Sequence, residues 1–278
     1  MKNLKLVRKR KMSAFRKIAI ATWRTVGDPS VYGTLELRMD RALEYLAAFN
    51  AKTGRRATVT HLMGKAAAAA LRATPESNAI LRFDRLYLRE DVGIFFQVAL
   101  TDAGPDAIDL SGLVVHDVDK KSLLELCDEF RERVELVRER KDRTFEQTRQ
   151  TMKRVPALFL RASLRILSFI AYTLNINPTI FGVPRDAFGS IMITNIGSLG
   201  LDVAYPPLVP YSRVPILLAI GAVRDAPVAE GDRVVVGKVM NVSVTFDHRF
   251  IDGVHAAGMA KLLREWFERP FEHFDPVG

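Results

Sequence analysis

Two strand-like segments near the C-terminus, followed directly by a helical pattern, constrain the fold of this chain more than any other feature. Residues 215–223 and 233–246 are rich in the aliphatic side chains that buried strands use. Residues 253–267 then carry apolar side chains at the spacing of an amphipathic helix. Helical and strand-like patterns also follow each other through the earlier part of the chain, so we predict an α/β fold built in layers.

The rest of the chain divides into elements of ordinary length. Helices are predicted over 14–23, from Asp40 to a stop at Gly54, from a cap at Thr60, and over about 121–141. Strands are predicted over 34–39, 86–88, 91–100, 112–115 and 190–194. No internal repeat and no Pro/Ala-rich linker interrupts them. We therefore expect one compact domain over 13–278, preceded by a basic arm over 1–12.

Composition places the chain among ordinary globular proteins. Of its 278 residues, 48% are hydrophobic and 26% are charged, which excludes disorder as the main state. The single cysteine, Cys127, excludes an intramolecular disulfide framework. It suits a reducing compartment, and no apolar signal-peptide region follows the basic N-terminus. These features predict a cytoplasmic protein.

The formal charge of +9 comes from the N-terminal segment alone. Nine of the 41 lysines and arginines precede the first acid, Asp28, and the remaining basic residues equal the 32 acidic ones in number. We do not expect a nucleic-acid partner, because the rest of the chain is formally neutral. The arm is expected to be solvated, with contact to a phosphate, an anionic membrane, a phosphorylated cofactor or an acidic partner as alternatives.

The most apolar stretch covers residues 154–174, but Arg161 and Arg165 interrupt it. A membrane-spanning helix needs about 20 mostly apolar residues with few charges, so this stretch is too short and too charged. We expect a helix that packs in the core or against another subunit. Contact with a membrane surface is the less favoured alternative.

Searches for common catalytic motifs leave one informative segment. No phosphate loop, dinucleotide fingerprint, His-Glu-x-x-His or Gly-x-Ser-x-Gly motif occurs, and the histidines lack metal-site spacing, so no metal is expected. Residues 244–253 end a strand at His248, place Asp252 four residues later, and turn at Gly253 into a helix. This arrangement holds an imidazole for proton transfer. Alone it is a weak pattern, because a lone histidine is more often structural.

Six segments in the same order make the chain resemble one known family. The segment 246–253 resembles the active-site motif in the catalytic domain of the 2-oxoacid dehydrogenase dihydrolipoyl acyltransferases, which are relatives of chloramphenicol acetyltransferase. The other matching segments are Phe15-Arg16-Lys17-Ile18-Ala19, Pro75-Glu76-Ser77-Asn78-Ala79, Asp91-Val92-Gly93-Ile94, Asp117-Val118-Asp119-Lys120-Lys121-Ser122 and Ile193-Thr194-Asn195-Ile196-Gly197. The resemblance covers about residues 12–274. It implies a chloramphenicol acetyltransferase-like fold, with a mixed sheet and packed helices.

The resemblance also implies catalytic roles. His248 would be the general base for a thiol, Thr194 would donate its hydroxyl to the tetrahedral oxyanion, and Asp252 would order the histidine loop.

Further residues would support these three. Arg16 would be an ion-pair partner of Asp252, Arg249 would brace the loop, and Gly253 and Asn195 would support the site. In the resembling family, the histidine and the hydroxyl come from neighbouring subunits of a trimer, so we expect a homotrimer or a larger assembly.

The chain departs from the family in three ways. Only about a dozen residues precede the catalytic core, where full-length members carry lipoyl and subunit-binding domains. The family's Gly-Leu-x-x-Pro turn is altered near residues 111–115, and about forty extra residues, 141–184, precede the Thr194 strand as an inserted helical segment. The last two changes leave the acyl acceptor and the higher assembly open.

We therefore predict a CoA-dependent acyltransferase whose thiol partner could be a lipoyl group on another chain, such as another component of a 2-oxoacid dehydrogenase assembly. The alternatives are acyl transfer to a small hydroxyl or amine compound, and a non-catalytic scaffold of such assemblies.

Overall fold

A computed structural model describes residues 2–8, 29–100, 109–138 and 157–277 of the chain. The strands are β1 (Leu6–Arg8), β2 (Ser30–Arg38), β3 (Ala79–Arg82), β4 (Arg85–Arg89), β5 (Ile94–Leu100), β6 (Asp109–Val115), β7 (Ile191–Asn195), β8 (Ile216–Glu230) and β9 (Arg233–Asp247). The α-helices are α1 (Asp40–Thr53), α2 (Val59–Ala73), α3 (Leu123–Arg138), α4 (Ala157–Ser168), α5 (Gly253–Glu268) and α6 (Pro270–His273). Short 3-10 turns and the π-helical turn Phe169–Thr173 connect some of them.

The main sheet is mixed and has the strand order β2-β9-β8-β7-β5-β6. Strands β5, β7 and β8 run parallel to each other, whereas β9 is antiparallel to both β8 and β2. Both β8 and β9 are 15 residues long, and they extend beyond the rest of the sheet as a two-stranded ribbon. The parallel strands lie at the centre of the sheet, where apolar runs such as Ile191–Ile193 are buried on both faces.

Helices α1, α2 and α5 cover one face of this sheet and form the principal core with it. The alanine-rich α2 allows close packing, and its residues Ala66, Ala67 and Ala68 are fully buried. The N-cap of helix α2 is Thr58 and not the predicted Thr60, so the helix begins at Val59. The reason is a capping box in which Nδ1 of His61 accepts a hydrogen bond of 3.0 Å from the Thr58 backbone N–H.

The segment from Leu201 to Ser212 crosses the opposite face of the sheet. A side chain at Gly221 would place its Cβ 2.2 Å from the carbonyl oxygen of Asp202, so only glycine permits this crossing. Further along, the Thr245 hydroxyl donates a hydrogen bond of 2.8 Å to the Pro206 carbonyl. These contacts hold the crossing segment against β8 and β9.

Residues 2–8 are not the solvated arm that the charge pattern predicted. Strand β1 pairs with β4 in a three-stranded antiparallel sheet of order β1-β4-β3, and Leu4 is buried beside Ile80 and Tyr172. Burial of Leu4 and the paired backbone outweigh the basic character of the segment. The side chains of Lys2, Lys5 and Arg8 remain exposed.

The predicted elements agree in type with the observed ones over most of the chain, but the short elements β1, β3 and α6 were not predicted. Every predicted strand is present, and β8 extends seven residues beyond its predicted end at residue 223. The predicted helix over 14–23 and the first part of the predicted insert, 141–156, lie outside the described residues. Among the helices that the structure does describe, none has the length and apolar character needed to cross a membrane.

Candidate functional site

The loop after β9 is held rigidly by its own residues. Asp247 is buried, and its carboxylate accepts hydrogen bonds from the backbone N–H and the guanidinium of Arg249. Phe250 and Ile251 are buried below the loop and anchor it to the core. The backbone N–H of His248 donates a hydrogen bond of 2.9 Å to the carbonyl of Pro29, which precedes β2. The half-buried His248 side chain therefore stands on a well-supported turn.

One contact determines which nitrogen of His248 is able to act as a base. Nδ1 lies 2.7 Å from the carbonyl oxygen of Ile251. A carbonyl oxygen only accepts hydrogen bonds, so Nδ1 carries the proton and Nε2 has the lone pair in the neutral ring. The same contact fixes the orientation of the ring, as a general base requires.

Asp252 is the N-cap of α5. Its Oδ1 accepts hydrogen bonds of 3.1 Å from the backbone N–H groups of Val254 and His255, and it lies 2.6 Å from Nδ1 of His255. Nε2 of His255 in turn lies 3.7 Å from the Glu76 carboxylate, in the turn after α2. Asp252 directly follows Ile251, whose carbonyl orients His248, so these contacts fix the end of the histidine loop to the start of α5.

Gly253 is the first residue of α5. A Cβ atom at this position would meet no atom of the described residues within 4 Å, so the glycine leaves open space beside the histidine loop.

Two site residues were not singled out from the sequence as functional. His255 and Glu76 connect the histidine loop to the turn after α2. The spacing Asp-x-x-His is that of an N-cap residue and its N3 partner. This spacing is the sequence signal that could have identified His255 as a partner of Asp252. Arg16, the predicted partner of Asp252, lies outside the described residues.

Thr194 and Asn195 end β7 on the other side of β8. The Asn195 side chain donates a hydrogen bond of 3.0 Å to the hydroxyl of Thr60 in the first turn of α2, and it accepts one of 3.1 Å from the backbone N–H of Ser198. Asn195 thereby fixes the backbone that presents Thr194. The Thr194 side chain is half-buried. It points to the sheet face opposite the helices, because strand side chains alternate and Ile193 belongs to the principal core.

The structure does not bring Thr194 and His248 together within one chain. Thr194 pairs with Ala219, and Ala219 pairs with Ser243, which lies five residues before His248. Five strand residues span about 16 Å, and two strand spacings add about 10 Å at right angles. The two backbones are therefore about 19 Å apart, which is too far for both side chains to contact one reacting carbonyl group.

A family model confirms the resemblance seen in the motifs. The model described as "2-oxoacid dehydrogenases acyltransferase (catalytic domain)" matches residues 6–153 and 187–274. The interruption over 154–186 includes α4. The inserted segment predicted at 141–184 overlaps this gap, but the division into an arm, a domain and an insert stays a prediction.

A known protein with similar sequence belongs to the same group. The dihydrolipoyllysine-residue acetyltransferase component of the acetoin cleaving system of Bacillus subtilis (strain 168) is 27% identical over 217 residues, which are 78% of this chain and 43% of that protein. The chain thus spans less than half the length of this relative.

Solved structures support the fold. Azotobacter vinelandii dihydrolipoamide acetyltransferase superposes with a TM-score of 0.65 at 22% identity, covering 96% of this chain and 93% of that one. A chloramphenicol acetyltransferase superposes with a TM-score of 0.50 at 14% identity, covering 94% of this chain and 100% of that one. The predicted chloramphenicol acetyltransferase-like fold is confirmed.

Proposed function

Because the chain belongs to the acyltransferase catalytic-domain family of the 2-oxoacid dehydrogenases, we propose that it moves an acyl group between CoA and a second thiol. The observation that supports this best is the bond from Nδ1 of His248 to the Ile251 carbonyl, which leaves Nε2 as the basic nitrogen. Thr194 is the proposed oxyanion donor, and Asp252 is the proposed support of the histidine loop. The solved Azotobacter structure belongs to a study of a serine, a histidine and an asparagine in that enzyme's catalytic mechanism.

The proposed reaction needs only these groups and the two substrates. The thiol gives its proton to Nε2 of His248, and its sulfur forms a bond to the carbonyl carbon of the acyl thioester. The carbonyl electron pair moves onto oxygen, where the Thr194 hydroxyl donates a hydrogen bond. The carbonyl then re-forms, the bond to the departing sulfur breaks, and that sulfur takes the proton from His248. No atom changes its oxidation state.

A site shared between subunits reconciles this chemistry with the distance of about 19 Å. His248 of one subunit would act with Thr194 of its neighbour around a closed ring. An apolar belt beginning five residues after Thr194 supports the contact: Leu199, Leu201, Val203 and Tyr205 are between 42% and 67% exposed. A belt of this kind on a lone subunit is typical of a subunit interface. We propose a homotrimer as the smallest active form.

The acceptor is proposed to be a dihydrolipoyl group carried by another chain, which gives the protein a place beside other components of a 2-oxoacid dehydrogenase-type assembly. Transfer to a small hydroxyl or amine compound is the competing activity.

A reducing cytoplasm is the proposed compartment, because it suits the one cysteine, Cys127. This cysteine is buried, and burial raises the pKa of its thiol to about 12.

Acyl-group turnover tests the proposal directly. The purified protein is incubated with acetyl-, succinyl- and branched acyl-CoAs, each with dihydrolipoamide or with a panel of amines and alcohols, and free CoA is measured. We expect CoA release that depends on dihydrolipoamide and is lost in His248→Ala. The variant Arg131→Ala, at an exposed position on α3, is the matched control and should keep full activity. Release that depends on an amine or alcohol would favour the competing activity, and no release with any pair would contradict both.

A further inference from the structure

The segment absent from the family match presents large apolar side chains to solvent. Five of them are between 41% and 60% exposed: Phe159, Ile166, Phe169, Leu174 and Ile176. Within α4 and the turn that follows, Phe159, Ala162, Ile166 and Phe169 are spaced 3, 4 and 3 residues apart, so they form one stripe along the helix. The stripe was expected to be buried in the core or against a partner, and the described residues of this chain do not bury it.

The other side of the same segment is firmly attached to the protein. Ala171 and Tyr172 are buried with Leu4 in the small core. The Asn175 side chain accepts a hydrogen bond of 2.6 Å from the Leu4 backbone N–H and donates one of 2.8 Å to the Leu4 carbonyl. Arg213 donates a hydrogen bond of 3.0 Å to the Ser168 hydroxyl. The stripe is therefore displayed by a docked segment, and its exposure is a property of the fold.

The charged residues in the described part of this segment have one sign. Residues 157–185 include three basic residues, Arg161, Arg165 and Arg185, and no acidic one. Arg165 is exposed on α4, and Arg185 is exposed at the end of the segment. Lys2, which precedes β1, adds further positive charge, because it pairs with Ile176 through the backbone and its side chain is exposed. The acid that follows the segment, Asp186, is buried and paired with Arg89.

We propose that this surface binds an anionic lipid bilayer, with the apolar stripe in the headgroup region and the basic side chains on the phosphates. Apolar residues flanked by arginine and lysine are the usual composition of such interfacial segments. A second copy of the same stripe fits less well, because pairing would bring two uniformly basic segments together. A stripe on the outside of a helix is also convex, and a fluid lipid surface accommodates it without a matching groove. The proposal does not depend on the acyl-transfer chemistry.

Vesicle flotation of the full chain tests this surface. Phosphatidylcholine vesicles with and without about 30 mol% phosphatidylglycerol, which sets the negative surface potential, are the probes. We expect the protein to float with the anionic vesicles and to remain below the neutral ones. Replacing Arg165 by Gln should lower the partition coefficient about five-fold, the usual effect of one basic side chain near such a surface. The double variant Phe159→Gln/Ile166→Gln should lower it at least ten-fold.

The matched control lies on the ribbon of β8 and β9. Val234 and Val236 are 75% and 77% exposed, so Val234→Gln/Val236→Gln removes as much exposed apolar surface elsewhere and should leave flotation unchanged. All variants are compared in thermal stability and sedimentation. Failure of the wild type to float with anionic vesicles, or equal loss in both double variants, would overturn the proposal. Loss of a larger particle in Phe159→Gln/Ile166→Gln, without vesicle binding by the wild type, would assign the stripe to contacts between copies of the chain.

Discussion

Mixing two inactive variants distinguishes a shared active site from one built within a single chain. His248→Ala keeps Thr194, and Thr194→Ala keeps His248. If each site combines His248 of one subunit with Thr194 of the next, a mixed ring regains a site wherever a Thr194→Ala subunit supplies its histidine to a His248→Ala neighbour. With random exchange at equal amounts, this arrangement occurs at one interface in four. We therefore expect about a quarter of wild-type turnover, although each variant alone is nearly inactive.

The dependence on mixing ratio makes the test quantitative. Activity should follow the product of the two subunit fractions, with its maximum at equal amounts, and should fall to the low values of the pure variants at both ends. Native mass spectrometry of isotopically distinct subunits measures exchange, and CoA release measures turnover. The distance of about 19 Å between Thr194 and His248 within one chain requires this result if both residues act on one carbonyl. Complete exchange with no recovery of activity would refute the shared site.

Three further substitutions test individual contacts. Thr194→Ala should lower kcat by about 100-fold or more with a much smaller change in KM, measured in steady-state assays, because its proposed contact forms mainly in the transition state. Asp252→Ala should lower the free energy of unfolding by about 1 kcal/mol in chemical denaturation through loss of the N-cap, whereas Asp252→Asn, which also caps, should not. Burial lowers the pKa of His61 from 6.5 to about 4, so the folded state favours the neutral ring. The contribution of this ring to the free energy of unfolding is therefore fully present above about pH 6.5 and is lost as pH falls towards 4. The loss amounts to about 3 kcal/mol, and in His61→Gln, which keeps the capping partner, this part of the pH dependence should disappear.

The parts of the molecule that followed from the sequence are those governed by local periodicity. Strand β9 has apolar side chains over most of its length, and α5 follows it after a capping aspartate, so both elements and the turn between them were predictable. The order of six motifs was enough to identify the family, which the family model confirms.

The errors arose where a long-range contact competes with a local signal. Three of the seven residues 2–8 are basic, yet burial of Leu4 against Tyr172, a residue 168 positions later, makes this segment part of a sheet. The N-cap of helix α2 was misplaced because the capping-box partner of Thr58 is a histidine, whereas the usual sequence signal is Glu or Gln. Both differences depend on side chains whose role is visible only in the folded structure.

The same limit explains why the proposed catalytic residues could be chosen from the sequence but their arrangement could not. His248 and Thr194 are each recognisable from a short motif, and neither motif contains the strand β8 that separates them. The register of Thr194, Ala219 and Ser243 places His248 far along the sheet from the hydroxyl, so one folded chain has both proposed catalytic groups but does not bring them together. Assembly would then be a condition for catalysis, and an acyl group would meet a complete set of catalytic groups only at an interface between subunits.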